Sequence, residues 1–95
     1  FQTFVTALRQ TLGDEATKAW LEAMVANEPK VYEGNSAALE AVRAGEIDVA
    51  LINHYYLFQA QREAGADYPV ANHFFANGDP GALVNVAGVG ILKTA

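Results

Sequence analysis

Two tyrosines stand side by side in the run Asn53-His54-Tyr55-Tyr56, directly after the apolar segment 47–52. A phenol has an ordinary pKa of about 10, so a phenolate at neutral pH must be stabilised by a nearby cation. A bound metal ion can provide that positive charge. Phenolate oxygen is a hard anionic donor, and two such donors on one ion suit a hard trivalent metal such as Fe³⁺. The pair therefore raises the hypothesis of a ferric site with Tyr55 and Tyr56 as metal ligands.

Two asparagines could complete such a site by holding an anion. Asn35 lies next to Ser36, and Asn53 precedes the tyrosine pair by two residues. Their amide N–H groups can donate hydrogen bonds to an anion, which would complete the coordination and offset the charge of the metal. We therefore expect Asn35 and Asn53 to bind the anion or to orient the metal ligands by donating hydrogen bonds.

Each of these residues also has a structural interpretation. A Tyr-Tyr pair is often a packing element with a hydrogen-bonded hydroxyl, and Asn35 taken alone is typical of a helix cap. His54 and His73 lie 19 residues apart without the spacing of metal ligands, which favours structural or surface positions for both. From residue chemistry alone, the metal site and the structural interpretation both stay open.

The helices and strands that must position these residues are predicted from the spacing of hydrophobic residues and from the Gly, Pro and Asn residues that mark turns and helix ends. Helices are predicted over 1–12, over 15–26 with Asp14 as N-cap, from an Asn35 or Ser36 cap to Gly45, and over 55–64. Strands are predicted over 30–33, 47–52 and 70–75, with a last β-rich segment over 82–92. Strands that alternate with helices predict an α/β fold with a largely parallel sheet flanked by helices.

This predicted topology would gather the polar residues at one edge of the sheet. In open α/β sheets, ligands bind beyond the carboxyl ends of the strands, often at helix N-termini. The strands at 30–33 and 47–52 would deliver Asn35 and the segment 53–56 to one crevice. Neighbouring side chains of a continuous strand point to opposite faces, whereas two consecutive side chains at a strand-to-helix junction can both enter the cleft.

Composition excludes several classes of protein. The chain has 95 residues, of which 52% are hydrophobic and 18% charged, which predicts one folded domain or a piece of one rather than disorder. The net charge is −5 and the six Lys and Arg residues are scattered singly, which argues against a nucleic-acid partner. The absence of cysteine excludes disulfides and thiolate metal sites. Because the sequence starts at Phe1 without Met and stops after an apolar run, we expect both ends to lie within a larger protein.

Three stretches of the sequence resemble one known family. The runs "NSAALEAVRAGEIDVALINHYYL" and "HFFANGDPGALVNVAGVGILKTA", together with "GDEATKAWLEAMVANEPKVYEGNS", resemble bacterial ferric-ion-binding proteins. These are the periplasmic solute-binding components of iron ABC importers. The resemblance covers essentially all 95 residues, and Asn-X-Tyr-Tyr placed after an apolar strand is a fairly specific mark of it.

The resemblance implies a fold and a set of site residues. Proteins of this family have two α/β lobes joined by a hinge, of the periplasmic-binding-protein type, with iron clamped between them. Residues 1–95 would be a single α/β lobe fragment, part of the second domain. Tyr55 and Tyr56 would be direct iron ligands, and Asn35 and Asn53 would help to hold a synergistic anion such as carbonate or phosphate. The remaining ligands would come from outside these residues, including the first lobe of the same chain.

The implied function is capture of ferric iron and its delivery to an ABC permease of the cytoplasmic membrane, without catalysis. The protein would lie in the periplasm or be lipid-anchored on the outer face of that membrane. We do not expect tight iron binding from these 95 residues alone. One alternative is a solute-binding protein for an anion or a small organic ligand without iron, and another is a domain without binding activity of its own. An enzyme using Tyr55 or His54 has no supporting motif in the sequence.

Overall fold

The structure is a computed structural model that describes residues 1–93 and consists of four α-helices joined by irregular segments. The predicted domain of residues 1–95 therefore ends two residues beyond the described range. The helices are α1 (Gln2–Leu12), α2 (Asp14–Ala26), α3 (Asn35–Arg43) and α4 (Tyr55–Ala64). All four predicted helices are confirmed, with ends that differ from the prediction by one or two residues.

The predicted fold class, an α/β lobe with a largely parallel sheet, is wrong for the described residues. Residues 1–93 contain no strand, and the segments 30–33, 47–52, 70–75 and 82–92 have irregular backbone. A strand requires a second strand that pairs with its N–H and C=O groups. The backbone bonds observed here are local instead, for example from Val70 N to Tyr68 O and from Leu83 N to Gly81 O. The apolar runs indicated strands, but they carry no information on a pairing partner.

The first two helices form a hairpin around Gly13. Its φ of 88° is in the region that favours glycine, so α1 can stop and α2 can start with one residue between them. Leu8 is buried where the helices meet, and the Phe4 and Trp20 rings pack with their centroids 5.8 Å apart. The apolar stripes on these helices therefore form a small core, as their helical spacing predicted.

Asp14 does not have the N-cap position that the sequence predicted. Gly13 is the N-cap of α2, and Asp14 lies in the first turn. Its Oδ1 accepts a hydrogen bond from Arg9 Nε at 2.8 Å, and this bond holds the pKa of Asp14 below its ordinary value of 3.8. Both side chains are exposed, so the ion pair adds little to stability. The carboxylate also faces the positive end of the α2 dipole, which is a favourable position for it.

The second pair of helices, α3 and α4, carries the candidate site. The two helices are in contact and carry four buried apolar side chains: Ala38, Leu39, Ala41 and Leu57. The segment after α4 returns to α3, where the Tyr68 hydroxyl donates to Glu40 Oε2 at 3.3 Å. Glu40 in turn pairs with Arg43, and that pairing is the first cause of the lowered pKa of Glu40.

The two helix pairs form an open arrangement. Among the described residues, no helix of the first pair contacts a helix of the second. The radius of gyration is 16.2 Å, against about 12 Å for a compact domain of this length. The chain exposes 7858 Å², whereas a folded monomer of this mass exposes roughly 5,300 Å². Much of the excess is apolar, as shown by Val49 (84% exposed) and Val89 (98% exposed).

None of the helices described has the length and apolar composition that crossing a bilayer requires.

Thr17 offers a test of the first hairpin. It is 2% exposed, and its hydroxyl has no hydrogen-bond partner within residues 1–93. A buried hydroxyl without a partner is destabilising, and valine has the same shape without the polar atom. We expect Thr17→Val to raise the free energy of unfolding by about 1 kcal/mol, measured by urea denaturation. The control is Thr11→Val, because the Thr11 hydroxyl is exposed and donates to Ala7 O at 2.8 Å; a gain as large in that variant would contradict the explanation.

Candidate functional site

The candidate site lies at the N-terminus of α4, where the two tyrosines begin the helix. The rings of Tyr55 and Tyr56 are stacked, with centroids 4.8 Å apart and planes inclined by 27°. Consecutive residues of a helix are rotated by about 100°, so their side chains ordinarily diverge. The structure therefore brings the two phenols together, although the predicted strand before them is absent.

The two tyrosines differ in how firmly they are held. Tyr56 is half-buried and lines the shallow groove between α3 and α4, next to Leu39 and Ala60. Tyr55 is 52% exposed and packs on Tyr56 and on the edge of the His54 ring. One phenol is thus fixed against α3, and the other is open to a ligand from solvent.

The surroundings of Tyr55 oppose its ionisation in the absence of a metal. Its pKa lies above the ordinary value of 10.0, first because of desolvation and then because of the neighbouring Tyr56 phenol. Tyr55 is therefore a neutral phenol at neutral pH. Only a strong positive charge at the hydroxyl could convert it to a phenolate.

Asn35 connects the starts of α3 and α4. Its side-chain Oδ1 accepts a hydrogen bond from the backbone N–H of Asn53 at 2.8 Å. The interpretation of Asn35 as a helix cap is wrong, because Gly34 is the N-cap of α3 and Asn35 is its first helical residue. Since Oδ1 is occupied by Asn53, the Nδ2 group remains as a donor without an acceptor among the described residues. The structure thus places the two predicted asparagines beside each other.

The two histidines occupy different surroundings. His54 is the N-cap residue of α4, and its ring makes edge contacts with Tyr55, Phe58 and Phe74 at centroid distances of 5.7 to 6.1 Å. The His73 ring meets Phe75 instead, at 5.8 Å. Within residues 1–93, no three His, Cys, Asp or Glu side chains come together as a metal-binding group. Metal chemistry at this site would therefore depend on the phenols.

One contact of the site was missed from the sequence. Asn72, assigned there to a strand, donates from Nδ2 to the His54 carbonyl oxygen at 3.0 Å. The two residues are 18 positions apart, and an asparagine in an otherwise apolar run carries no signal for its partner. Its polarity within "YPVANHFF" is the one feature that could have drawn notice.

Known relatives are similar to this chain over nearly its whole length. The "Fe(3+)-binding periplasmic protein" of Serratia marcescens is 40% identical over 96 residues, which is 100% of this chain. The "Major ferric iron-binding protein" of Neisseria meningitidis serogroup B is 40% identical over 92 residues, or 96% of the chain. "Iron uptake protein A1" of Synechocystis is 39% identical over 100 residues, or 99% of the chain. No family model matches the chain.

These relatives are considerably longer than the chain. The matched segment makes up 28% of the length of each of the three proteins. The matched span nevertheless covers 96% or more of this chain, helices and irregular segments alike. Over its whole length the chain is therefore similar to one segment of periplasmic ferric-iron-binding proteins, which confirms the resemblance recognised in its sequence.

Proposed function

We propose that the protein binds ferric iron through Tyr55 and Tyr56 and carries it for import. The observation that supports this most directly is the stacking of two phenols, 4.8 Å between ring centroids, at the start of α4. Two adjacent phenolates are a donor set suited to a hard trivalent ion. The names of the relatives, which describe iron binding and iron uptake, point to the same cargo.

The proposed role of Asn35 and Asn53 is to hold a synergistic anion, carbonate or phosphate, beside the iron. Asn35 Nδ2 has its hydrogens available because its Oδ1 accepts from Asn53 N. The same bond brings the N-termini of α3 and α4 close to each other. Unpaired N–H groups and the helix dipoles give these ends a positive potential, which favours an anion.

The proposed partner is an ABC permease in the cytoplasmic membrane, and the proposed location is the periplasm, free or as a lipid-anchored protein. Residues 1–95 would be part of the second of two lobes, and the first lobe would supply the remaining iron ligands. Closure of two lobes on the ion would exclude water and complete its coordination. The function is transport without catalysis, in agreement with the names of the relatives.

Visible absorption during a ferric titration tests the proposal. The full-length protein carrying this sequence is titrated with ferric ion in the presence of carbonate or phosphate. Phenolate bound to ferric iron gives a charge-transfer band that carboxylate or imidazole ligands do not give. A saturable band is the expected result. A well-folded protein without the band would have no phenolate–iron site, and the alternative of an anion or small organic ligand would take its place.

Iron binding is expected to strengthen as the pH rises. The pKa of Tyr55 is above 10.0, so this phenol must release a proton when it binds iron at neutral pH. The apparent affinity should therefore increase by at least about tenfold for each pH unit, and binding should be lost on acidification. The measurement is competition against a chelator whose own proton dependence is known. An affinity independent of pH between about 6 and 7 would contradict phenolate ligation.

A further inference from the structure

The backbone hydrogen bonds that begin α4, the helix that carries the tyrosine pair, are long. Tyr56 N reaches Asn53 O at 3.4 Å, and Leu57 N reaches His54 O at 3.3 Å. Backbone hydrogen bonds in proteins are most often about 2.9 to 3.0 Å long. His54 does not help with its side chain, because it makes no capping hydrogen bond. The position of the phenols thus depends on contacts from other segments.

Two asparagine side chains supply such contacts at consecutive residues. Asn35 Oδ1 accepts from Asn53 N at 2.8 Å, and Asn72 Nδ2 donates to His54 O at 3.0 Å. The bond from Asn35 satisfies the backbone N–H of Asn53, and the bond from Asn72 satisfies the backbone C=O of His54. The backbone just before α4 is therefore held by two different segments. Asn35 acts from α3, whereas Asn72 acts from a segment far along the chain.

The segment around Asn72 makes a second contact with the same residue. The Phe74 ring lies 6.0 Å from the His54 ring, with the planes inclined by 63°. Asn72 itself is partly buried, and its hydrogen bond to the exposed His54 lies at the surface of the protein. Residues 72 and 74 therefore hold His54 by its carbonyl oxygen and by its ring.

We propose that Asn72 is a positioning residue for the tyrosine pair. It fixes the His54 carbonyl, and through it the first turn of α4, so that Tyr55 and Tyr56 keep one placement before the metal arrives. Its importance for iron rests on the proposed function. Residues that orient metal ligands through hydrogen bonds commonly contribute about 10- to 100-fold to metal affinity.

The test compares Asn72→Asp with Asn77→Asp in the full-length protein. Aspartate has nearly the shape of asparagine, but its ionised carboxylate cannot donate to the His54 carbonyl. Asn77 is an exposed residue of the same connecting region, so its variant carries the same change of charge without touching His54. Asn72→Ala serves as a second variant that removes the donor without adding a charge.

Amide hydrogen exchange in the metal-free protein is measured first, and ferric affinity by chelator competition second. In both Asn72 variants we expect roughly 2- to 10-fold faster exchange at Tyr56 and Leu57, with other helices unchanged. Ferric affinity should fall roughly 10- to 100-fold, while Asn77→Asp leaves both quantities as they are. The charge-transfer band should persist at saturation, because both phenols remain.

Two results would overturn the inference. Exchange at Tyr56 and Leu57 that stays unchanged would show that Asn72 does not hold this turn. Faster exchange in all four helices would show a general loss of stability instead of positioning. The exchange measurement needs no iron, so it remains decisive if the wild-type protein shows no ferric band. In that case the proposed function fails, and the exchange result still decides the role of Asn72 in placing the phenols.

Discussion

Replacing either Tyr55 or Tyr56 by phenylalanine should lower the intensity of the ferric charge-transfer band and weaken iron binding by more than roughly 100-fold. Loss of a group that merely orients a ligand already weakens metal binding by about 10- to 100-fold. Loss of a ligand atom also removes an anionic charge from the ion, and phenylalanine has no donor to replace it. Both effects act in the same direction, so the direct ligands should show the larger loss.

The matched control for these variants is Tyr68→Phe. Tyr68 lines the same groove as Tyr56, but its hydroxyl donates to Glu40 of α3 and is not one of the proposed iron ligands. The three variants delete one oxygen atom each and keep the aromatic ring, so differences between them report on the oxygen. Absorption titrations and chelator competition in the full-length protein give the band and the affinity. Equal losses in all three variants would contradict the assignment of Tyr55 and Tyr56.

The two single variants are expected to leave the stability of the metal-free protein nearly unchanged. Tyr56 lines the groove beside Leu39, and its ring stays in place when the hydroxyl is removed. Tyr55 is half-exposed and contacts Tyr56 through its ring face. Neither change removes apolar contact area, so unfolding should be nearly unaffected. A loss of iron binding without a loss of stability would therefore identify ligation as the cause.

The helices could be predicted from the sequence because their signals are local. Leu8 and its neighbours recur at helical spacing, and Gly13 and Gly65 stop α1 and α4 as their lack of a side chain allows. The strands failed because a strand is defined by its partner. Val49 and Leu51 lie in an apolar run that resembles a buried strand, yet they are 84% and 53% exposed. Spacing indicates which residues favour burial but does not provide the segment that would cover them.

In the candidate site, too, features of adjacent residues could be predicted from the sequence, whereas hydrogen bonds between distant residues could not. Adjacent phenols can be read directly from Tyr55-Tyr56, and the structure adds that their rings stack. The side-chain bond from Asn35 to the backbone of Asn53 spans 18 positions, and so does the bond from Asn72 to His54. Resemblance to a family indicated the first asparagine. The contact of Asn72 depends on how the segment after α4 folds back, and no local sequence pattern predicts that path.

The stability of the site depends on one small core between α3 and α4. Leu57 follows the tyrosine pair directly and is 3% exposed, and Leu39 of α3 is 4% exposed. In an open structure with few buried side chains, each of them carries a large share of the contact between the helices. The groove that holds Tyr56 is formed by the same contact. Changes in this core should therefore reach the metal site through Tyr56.

Leu57→Ala is expected to lower the free energy of unfolding by about 2 to 5 kcal/mol, the usual range for a buried leucine. This is a large part of the 5 to 15 kcal/mol that stabilises a typical protein. The control is Arg62→Ala, which shortens a long side chain on the exposed side of the same helix and should change stability by less than about 0.5 kcal/mol. Urea denaturation gives both values.

The same variant also tests whether the core positions the phenols. Leu57 lies one residue after Tyr56, and the cavity left by alanine would loosen α4 against α3. Ferric affinity should then fall in Leu57→Ala even under conditions in which the protein remains fully folded, whereas Arg62→Ala should bind iron like the wild type. A variant that is destabilised as expected but binds iron normally would show that the phenols are placed by the contacts at residues 53 and 54 alone. Asn35 and Asn72 would then carry the whole of that task, and the core would serve stability without shaping the site.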